Sequence, residues 1–140
     1  MDWPHRGSCL CGSVRYAAGE FAPQMAHCHC SMCRKFHGAA FATFGSTRAF
    51  RWLSGEAQLA SFTAANGTVR QFCQQCGSSL TFQSPATPAG VVEIALGTLD
   101  TPLAQRPDAH IWVGSGADWY SPTAELPCHH AGRSSELVCP

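Results

Sequence analysis

The sequence predicts a mostly β domain made of several small antiparallel sheets. Short runs rich in aromatic and β-branched residues recur between Gly, Pro, Asn and Ser residues, which is the pattern of short strands and turns. Helical periodicity is hard to find, and 13 glycines with 9 prolines in 140 residues leave little room for long helices. We expect a single domain over residues 1–140, with a loose tail at residues 128–140.

Short apolar runs give the predicted elements. The predicted strands are Ser13–Tyr16, Ala39–Phe44, Ala49–Leu53, Gln58–Phe62, Thr68–Phe72, Ser78–Phe82, Val91–Leu96 and His110–Val113. One short helical turn is expected at Ser31–Phe36. Asn66-Gly67 predicts a hairpin, because Asn-Gly readily takes the positive φ angles of a tight primed turn. Small sheets share a limited core, so we expect zinc, at ~10–16 kcal/mol per structural site, to staple them together.

The composition argues against nucleic acid and membranes as partners. Only 13% of the residues are charged, and nine Lys plus Arg balance nine Asp plus Glu. The sequence therefore lacks the basic surplus of a non-specific nucleic-acid binder. No window approaches the ~18 consecutive apolar residues of a membrane span, and the first residues lack the apolar segment of a signal peptide. We therefore expect a soluble, cytoplasmic protein.

The cysteine pattern is the most informative feature of the sequence. Nine cysteines stand at positions 9, 11, 28, 30, 33, 73, 76, 128 and 139, and seven of them form three tight clusters. Such clusters are typical of metal ligands in a reducing compartment. Disulfide bonding is the alternative, but the odd number of cysteines, the absence of a secretion signal and the close spacing within the clusters disfavour it.

Two of the clusters predict a closed metal site. Cys73-Gln74-Gln75-Cys76 has the spacing of a zinc knuckle, in which a tight turn directs both thiolates to one point. Cys9 and Cys11 lie on the same side of an extended segment, since side chains at i and i+2 share a face. Together these four cysteines would complete the tetrahedral ligand set of a structural zinc ion.

The remaining cluster, Cys28, Cys30 and Cys33, predicts a second zinc site with an open position. Three protein ligands and one vacant coordination position distinguish catalytic zinc from structural zinc. Three thiolates leave a zinc site with one negative charge fewer than four do, so such a site can still accept an anion such as a thiolate. The alternative is a fourth protein ligand, and the spacing leaves these candidates open: His27, His29, His37, Cys128, His129 and His130.

Three motifs resemble one known family. They are Gly7–Tyr16 (GSCLCGSVRY), Cys28–Gly38 (CHCSMCRKFHG) and Arg70–Ser78 (RQFCQQCGS). In this order they closely resemble the glutathione-dependent formaldehyde-activating enzyme family. Three later segments are similar to the C-terminal half of that family: Gly97–Asp100, His110–Val113 and Asp118-Trp119. The resemblance covers roughly residues 5 to 127.

The resemblance implies a β-tent fold, two zinc ions per chain and a carbon–sulfur lyase activity. By this resemblance the structural zinc is held by Cys9, Cys11, Cys73 and Cys76, and the catalytic zinc by Cys28, Cys30 and Cys33. This division equals the one that the spacing suggests. The family's named activity is the reversible condensation of formaldehyde with glutathione to S-(hydroxymethyl)glutathione. Glutathione is therefore the expected small-molecule partner.

Further candidate residues follow from this chemistry. We expect the catalytic zinc to bind a small thiol, lower its pKa and hold its sulfur against an electrophilic carbon, so that proximity supplies most of the rate. His37 is a candidate proton carrier or fourth ligand, with a hydrogen-bonded histidine that lines the site as the alternative. The carboxylates of glutathione require nearby cations, and the candidates, each with a solvated surface charge as its alternative, are Arg34, Lys35, Arg48, Arg51 and Arg70.

Other interpretations stay open at this stage. The chain could be a zinc-stabilised binding module with two structural metal ions, or a redox or metal sensor whose triad is oxidised or changes its metal. A triad closed by His37 would favour the binding module, and an exposed, peroxide-sensitive triad would favour the sensor. We expect free thiols and imidazoles, or else an adventitious surface metal site, at Cys128, His129, His130 and Cys139.

Overall fold

The computed structural model describes residues 3–123 and 125–139. The chain divides into two compact units. The first unit contains the residues up to Ala22 together with Gly45–Ala104, and the second contains Pro23–Phe44 together with the residues from Gln105 onward. No helix in the described ranges combines the length and the hydropathy that a membrane span needs.

Strands dominate both units. In chain order the elements are β1 (His5–Ser8), β2 (Arg15–Ala18), β3 (Ala26–Cys28), α1 (Ser31–His37), β4 (Ala42–Thr47), β5 (Phe50–Ser54), β6 (Leu59–Thr63), β7 (Val69–Cys73), β8 (Ser79–Gln83), β9 (Val92–Ala95) and β10 (Ala109–Ile111). Short 3-10 turns lie at Glu56–Gln58, Leu96–Thr98 and Val113–Ser115. The protein is therefore mostly β, as the sequence predicts.

The first unit is built from antiparallel strands. Strand β2 lies between β1 and β5 and buries Tyr16 completely. Strands β6, β7, β8 and β9 pair in succession as antiparallel neighbours. Val14 and Leu80 form a hydrophobic cluster with the thiols of Cys9 and Cys73. Two of the predicted metal ligands therefore belong to the core of this unit.

The second unit contains a small mixed sheet and the only α-helix of the described residues. Strand β3 pairs with β10 in parallel and with the first half of β4 in antiparallel register, so Cys28 lies between Ile111 and Ala42. Helix α1 follows directly after Cys30. The parallel pair departs from the purely antiparallel expectation, because it joins two segments that are far apart in the sequence.

Residues 128–139 form a folded segment that pairs with β10. Cys128 is buried and forms a β-bridge with His110, and His129 forms a bridge with Leu137. A disulfide bond joins Cys128 to Cys139, with a Cα–Cα distance of 5.2 Å. The expectations of a loose tail and of free thiols at these positions are therefore wrong, because backbone pairing brings the two cysteines within bonding range. The seven clustered cysteines are not in disulfide bonds.

Each predicted strand corresponds to an observed one, and the predicted helical turn corresponds to α1. The apolar pattern does not predict β1 or β3, which are only four and three residues long. The hairpin at Asn66-Gly67 is confirmed, since it joins β6 to β7. The prediction of a tight primed turn is wrong, because of the two central residues only Gly67 takes a positive φ (92°). The loop is wider and is closed by the Ala64 N–H, which donates to the Thr68 carbonyl at 2.8 Å.

Gly7 of β1 tests the packing of this first sheet. A Cβ at Gly7 would overlap the ring of Tyr16, which cannot move away because it is buried and its hydroxyl is hydrogen-bonded to Thr98 Oγ1 at 2.7 Å. We predict that Gly7→Ala lowers the free energy of unfolding by about 2 kcal/mol, measured by urea-induced unfolding. Gly97→Ala is the control, since its Cβ would meet nothing within 4 Å. Equal losses in the two variants would contradict this packing.

Candidate metal centres

The structure brings Cys9, Cys11, Cys73 and Cys76 together in the first unit, and we call them the four-cysteine cluster. Their sulfur atoms all lie within 4.8 Å of one another. Cys11 Sγ is 3.6 Å from Cys9 Sγ and 3.8 Å from Cys73 Sγ. A tetrahedron with zinc–sulfur distances of about 2.3 Å has sulfur–sulfur edges of about 3.8 Å. The donor set and its spacing therefore fit a metal ion such as zinc.

Two similar turns place these thiols. One joins β1 to β2, where Gly12 takes a φ of 79° and its N–H donates to the Cys9 carbonyl at 3.0 Å. The other joins β7 to β8, where Gly77 takes a φ of 80° and its N–H donates to the Cys73 carbonyl at 2.7 Å. Glycine adopts this left-handed conformation without the steric cost of a Cβ. The two glycines therefore allow both turns to fold back around the sulfur atoms.

Polar groups beside the four-cysteine cluster favour thiolates. Burial disfavours ionisation of Cys9, but the Val14 N–H, 3.3 Å from its sulfur, and the neighbouring hydroxyl and thiols outweigh burial and lower its pKa. The hydroxyl of Ser78, 3.3 Å from Cys76 Sγ, lowers the pKa of Cys76 to about 5. The pKa values of two of the four thiols are therefore lowered, whereas neighbouring thiols raise the pKa of Cys11, and the thiolate is the form that binds a metal.

Cys28, Cys30 and Cys33 form a second cluster, the cysteine triad, in the second unit. Their three sulfur atoms also lie within 4.8 Å of one another. Cys28 ends β3, Cys30 is the N-cap of α1 and Cys33 is buried in that helix. The Cys33 N–H donates to Cys30 Sγ at 3.3 Å. The two neighbouring thiols, followed by burial, raise the pKa of Cys28, so a bound cation is needed before all three thiols ionise together.

No fourth ligand atom joins the triad in the part of the chain that the structure describes. His29 lies between two triad cysteines in sequence, but its Nε2 is 2.8 Å from His110 Nδ1. His27 Nδ1 is 2.7 Å from Thr43 Oγ1. Both nearby histidines therefore make hydrogen bonds to other side chains.

The more distant candidates also lie outside the triad. The ring of His37 packs against Phe44, with centroids 5.5 Å apart. The sulfur of Cys128 is in a disulfide bond. His129 Nδ1 is 3.4 Å from a backbone carbonyl of its own segment, and the ring of His130 covers a glycine. None of these candidate residues therefore lies with the triad sulfur atoms in the described part of the chain.

A pair of buried histidines beside the triad is not predicted from the sequence. Burial lowers the pKa of His110, and burial together with the charges of His110 and His27 lowers the pKa of His29 to about 4. The pair is therefore neutral near pH 7. The rings of Phe41 and Tyr120 contact His29, with centroids 5.0 and 6.2 Å away. The cysteine motif identifies His29 as a candidate residue, but His110 comes next to it only through the pairing of β3 with β10.

The candidate cations are divided between the two units. Arg34 and Lys35 lie on α1 beside Cys33, and Lys35 is exposed. Arg48 and Arg51 are exposed residues of the first unit. Arg70, in contrast, is buried, with its guanidinium 5.2 Å from the centre of an aromatic ring. The structure therefore places two of the five candidates on the helix that carries a triad cysteine.

The four-cysteine cluster offers a test in which packing changes little. Cys11 is exposed, so we predict that Cys11→Ser lowers the free energy of unfolding by at least about 3 kcal/mol in zinc-containing buffer through weaker metal binding. The difference should vanish once a strong chelator removes the metal from both proteins, measured by denaturant-induced unfolding. Leu10→Ala, at a neighbouring side chain that is 86% exposed, is the matched control. A Cys11→Ser protein as stable as wild type in zinc would contradict metal binding here.

Comparisons with known proteins identify the family of this chain. The family described as glutathione-dependent formaldehyde-activating enzyme matches residues 4–115, a range that contains both cysteine clusters. A crystal structure of a Rhodobacter sphaeroides protein aligns with a TM-score of 0.58 and 23% sequence identity, covering 71% of this chain and 91% of that chain, and so supports the fold. No curated protein matches the sequence significantly. Because the family match covers most of the chain, this protein belongs to the glutathione-dependent formaldehyde-activating enzyme family.

Proposed function

We propose that this protein is a zinc-dependent carbon–sulfur lyase that acts on a small thiol adduct such as S-(hydroxymethyl)glutathione. The observation that carries the proposal is the cysteine triad, which has three sulfur atoms within 4.8 Å and no fourth ligand atom among the described residues. Three thiolates with one free coordination position are the arrangement of catalytic rather than structural zinc. Membership of the family supports a glutathione- and formaldehyde-related activity in general.

In this proposal the two clusters have different roles. The four-cysteine cluster holds a structural zinc and joins the β1–β2 turn to the β7–β8 turn, with both units acting as one functional domain. The triad holds the catalytic zinc. When bound there, zinc supplies positive charge that lowers the pKa of an incoming thiol. The seven clustered thiols must stay reduced for this purpose, so we place the protein in a reducing compartment such as the cytoplasm.

The chain's own residues fix the position of the ligands. Cys28 lies between two neighbouring strands, opposite Ile111 and Ala42, so its backbone is held on both sides. Cys30 and Cys33 are fixed relative to each other by the hydrogen bond from the Cys33 N–H to Cys30 Sγ. A thiol bound beside this rigid triad is oriented before reaction, and such orientation supplies much of the rate in reactions between two molecules.

The surroundings of the triad suit glutathione. Lys35 and Arg34 on α1 supply positive charge for carboxylates, although Arg34 also donates from Nε to the Ser115 carbonyl at 3.1 Å. Tyr120 is partly exposed and packs near His29, so its ring can contact a bound ligand. The neutral His29–His110 pair contributes hydrogen-bonding groups without adding a charge near the triad. These features support the binding of a small anionic thiol.

The proposed reaction is an addition and its reverse. The thiol sulfur forms a bond to the carbonyl carbon of formaldehyde, the carbon–oxygen double bond becomes a single bond, and the thiol proton passes to the oxygen. In the lyase direction the carbon–sulfur bond breaks and the hydroxyl proton returns to sulfur. His37, near the helix end, is our candidate for carrying this proton.

A Cys30→Ser variant tests the proposal. Serine is a favourable N-cap, so the variant keeps the cap of α1 while losing a thiolate ligand. We predict that the zinc content falls from two ions per chain to about one and that glutathione binding, measured by calorimetry, weakens at least about tenfold. After the spontaneous rate has been subtracted, the rate of S-(hydroxymethyl)glutathione cleavage should fall at least about a hundredfold.

Ser31→Ala, at the next and exposed position, is the control and should keep two zinc ions and full turnover. Unchanged turnover in Cys30→Ser would rule out the catalytic role of the triad. Normal zinc content with no response to glutathione in the wild-type protein would favour the zinc-stabilised binding module instead.

A further inference from the structure

The C-terminal segment contains a feature that the proposed function does not use. Residues 128–139, which we call the clasp, lie beyond the family match that ends at residue 115. The clasp is closed by the Cys128–Cys139 disulfide. We propose that this disulfide is an exchange site for low-molecular-weight thiols, and that its oxidation state controls how firmly the clasp holds residues 112–115.

The clasp has a folded structure of its own. Its two arms pair through the bridge between His129 and Leu137, and the Val138 N–H donates to the Cys128 carbonyl at 2.9 Å. The turn between the arms is closed by Ser135, whose hydroxyl donates to a backbone carbonyl of the turn at 2.6 Å. The disulfide joins the two ends of this hairpin. Breaking it therefore leaves the outer arm held by backbone pairing alone, including the His130 N–H, which donates to the Glu136 carbonyl at 2.9 Å.

The inner arm of the clasp holds the segment that follows β10. The N–H groups of three successive residues, Trp112, Val113 and Gly114, donate to carbonyls of the clasp at 2.9, 3.1 and 3.0 Å. Trp112 takes a φ of 59°, the only positive φ of a non-glycine residue in the described ranges. A bulky residue keeps this conformation only when its surroundings impose it. The clasp supplies these surroundings.

The same segment is connected to the triad helix. The ring of His130 packs so closely on Gly114 that any Cβ there would collide with it. Next in the chain, the Ser115 carbonyl accepts the hydrogen bond from Arg34 Nε at 3.1 Å. Arg34 follows Cys33 directly in α1. A continuous series of contacts therefore runs from the disulfide through residues 112–115 to the helix that carries a triad cysteine.

The clasp also has an anchor that does not depend on the disulfide. Arg133 forms a salt bridge with Asp108 at 2.7 Å and donates to the Met25 carbonyl at 3.2 Å. We therefore expect reduction to loosen the clasp and residues 112–115 locally, without unfolding the second unit. A disulfide whose reduction opens only one segment can control that segment without being required for the unit to stay folded.

The two cysteine residues differ in burial, and in this proposal the difference sets the direction of exchange. Cys128 is 1% exposed, whereas Cys139 is partly exposed. A small thiolate attacks Cys139 Sγ, a mixed disulfide forms and Cys128 leaves as a thiolate. A second small thiol attacks the mixed disulfide, Cys139 leaves, and the two small thiols are released as one disulfide. The clasp gains two electrons and two protons, and the two small thiols lose them.

Equilibration with mixtures of reduced and oxidised glutathione tests the exchange. Zinc-loaded protein is incubated at a series of ratios, quenched with acid, alkylated in denaturant and analysed by peptide mass spectrometry at Cys128 and Cys139. We expect the disulfide to form in oxidised glutathione and to open as reduced glutathione increases. A bond that never forms, or that stays closed at every ratio, overturns the proposal.

Hydrogen exchange tests the hold on residues 112–115. We expect the amides of Trp112, Val113 and Gly114 to exchange at least about tenfold faster in reduced protein, while amides of β7 and β8 stay unchanged. Cys139→Ser should show the fast exchange under both conditions, and the control Ser134→Ala should behave as wild type. Equal exchange in oxidised and reduced wild-type protein overturns the coupling even if a variant fails to fold. Neither readout involves formaldehyde, so this proposal and the lyase proposal can fail separately.

Discussion

Repulsion between neighbouring thiolates is the constraint on which the first unit depends. Four sulfur atoms within 4.8 Å cannot all carry negative charge unless a cation lies among them. Val14 and Leu80 pack against Cys9 and Cys73, so this charge balance is part of the hydrophobic core rather than an addition to its surface. In the function proposed above, a bound metal ion would add directional coordination bonds to the non-directional burial that stabilises this unit.

The triad in the second unit uses different local structure for related chemistry. Where the four-cysteine cluster is built from two glycine turns, the triad is built from the end of a strand and the first turn of a helix. A strand end and a helix start place three sulfur atoms close together within six residues, while His27 and His29 on the same stretch of chain are hydrogen-bonded to other side chains. The different numbers of sulfur atoms in the two clusters thus accompany different backbone structures.

The sequence predicts the parts of this structure that depend on local spacing. Both cysteine clusters assemble as expected, because Cys-x-Cys and Cys-x-x-Cys spacing fixes which sulfur atoms can meet in a turn. Short strands are also predicted from local sequence, because aromatic and β-branched runs are bounded by turn residues such as Gly and Asn. The ligand roles of these residues stay predictions until metal is measured.

Features that depend on non-local pairing could not be predicted in this way. The contact between His29 and His110 exists only because β10 pairs with β3 in parallel. The sequence does not predict the disulfide, because the odd number of cysteines and their clustering favour metal binding. The pairing of Cys128 with Cys139 depends on how residues 128–139 fold. The left-handed Trp112 gives no sequence signal at all, since bulky residues rarely adopt that conformation.

The position of Cys30 at the N-cap of α1 has a consequence for how relatives of this chain are compared. The same atom starts a helix and belongs to the triad, and the first task can be performed equally well by the oxygen of serine, threonine or aspartate. A relative with one of these residues at the corresponding position would keep the same backbone and superpose without any visible change, yet would lack a thiolate. Superposition of backbones alone would therefore not reveal the loss of a triad thiolate, and under the proposed function the identity of this capping residue would distinguish relatives that can bind the catalytic zinc from those that cannot.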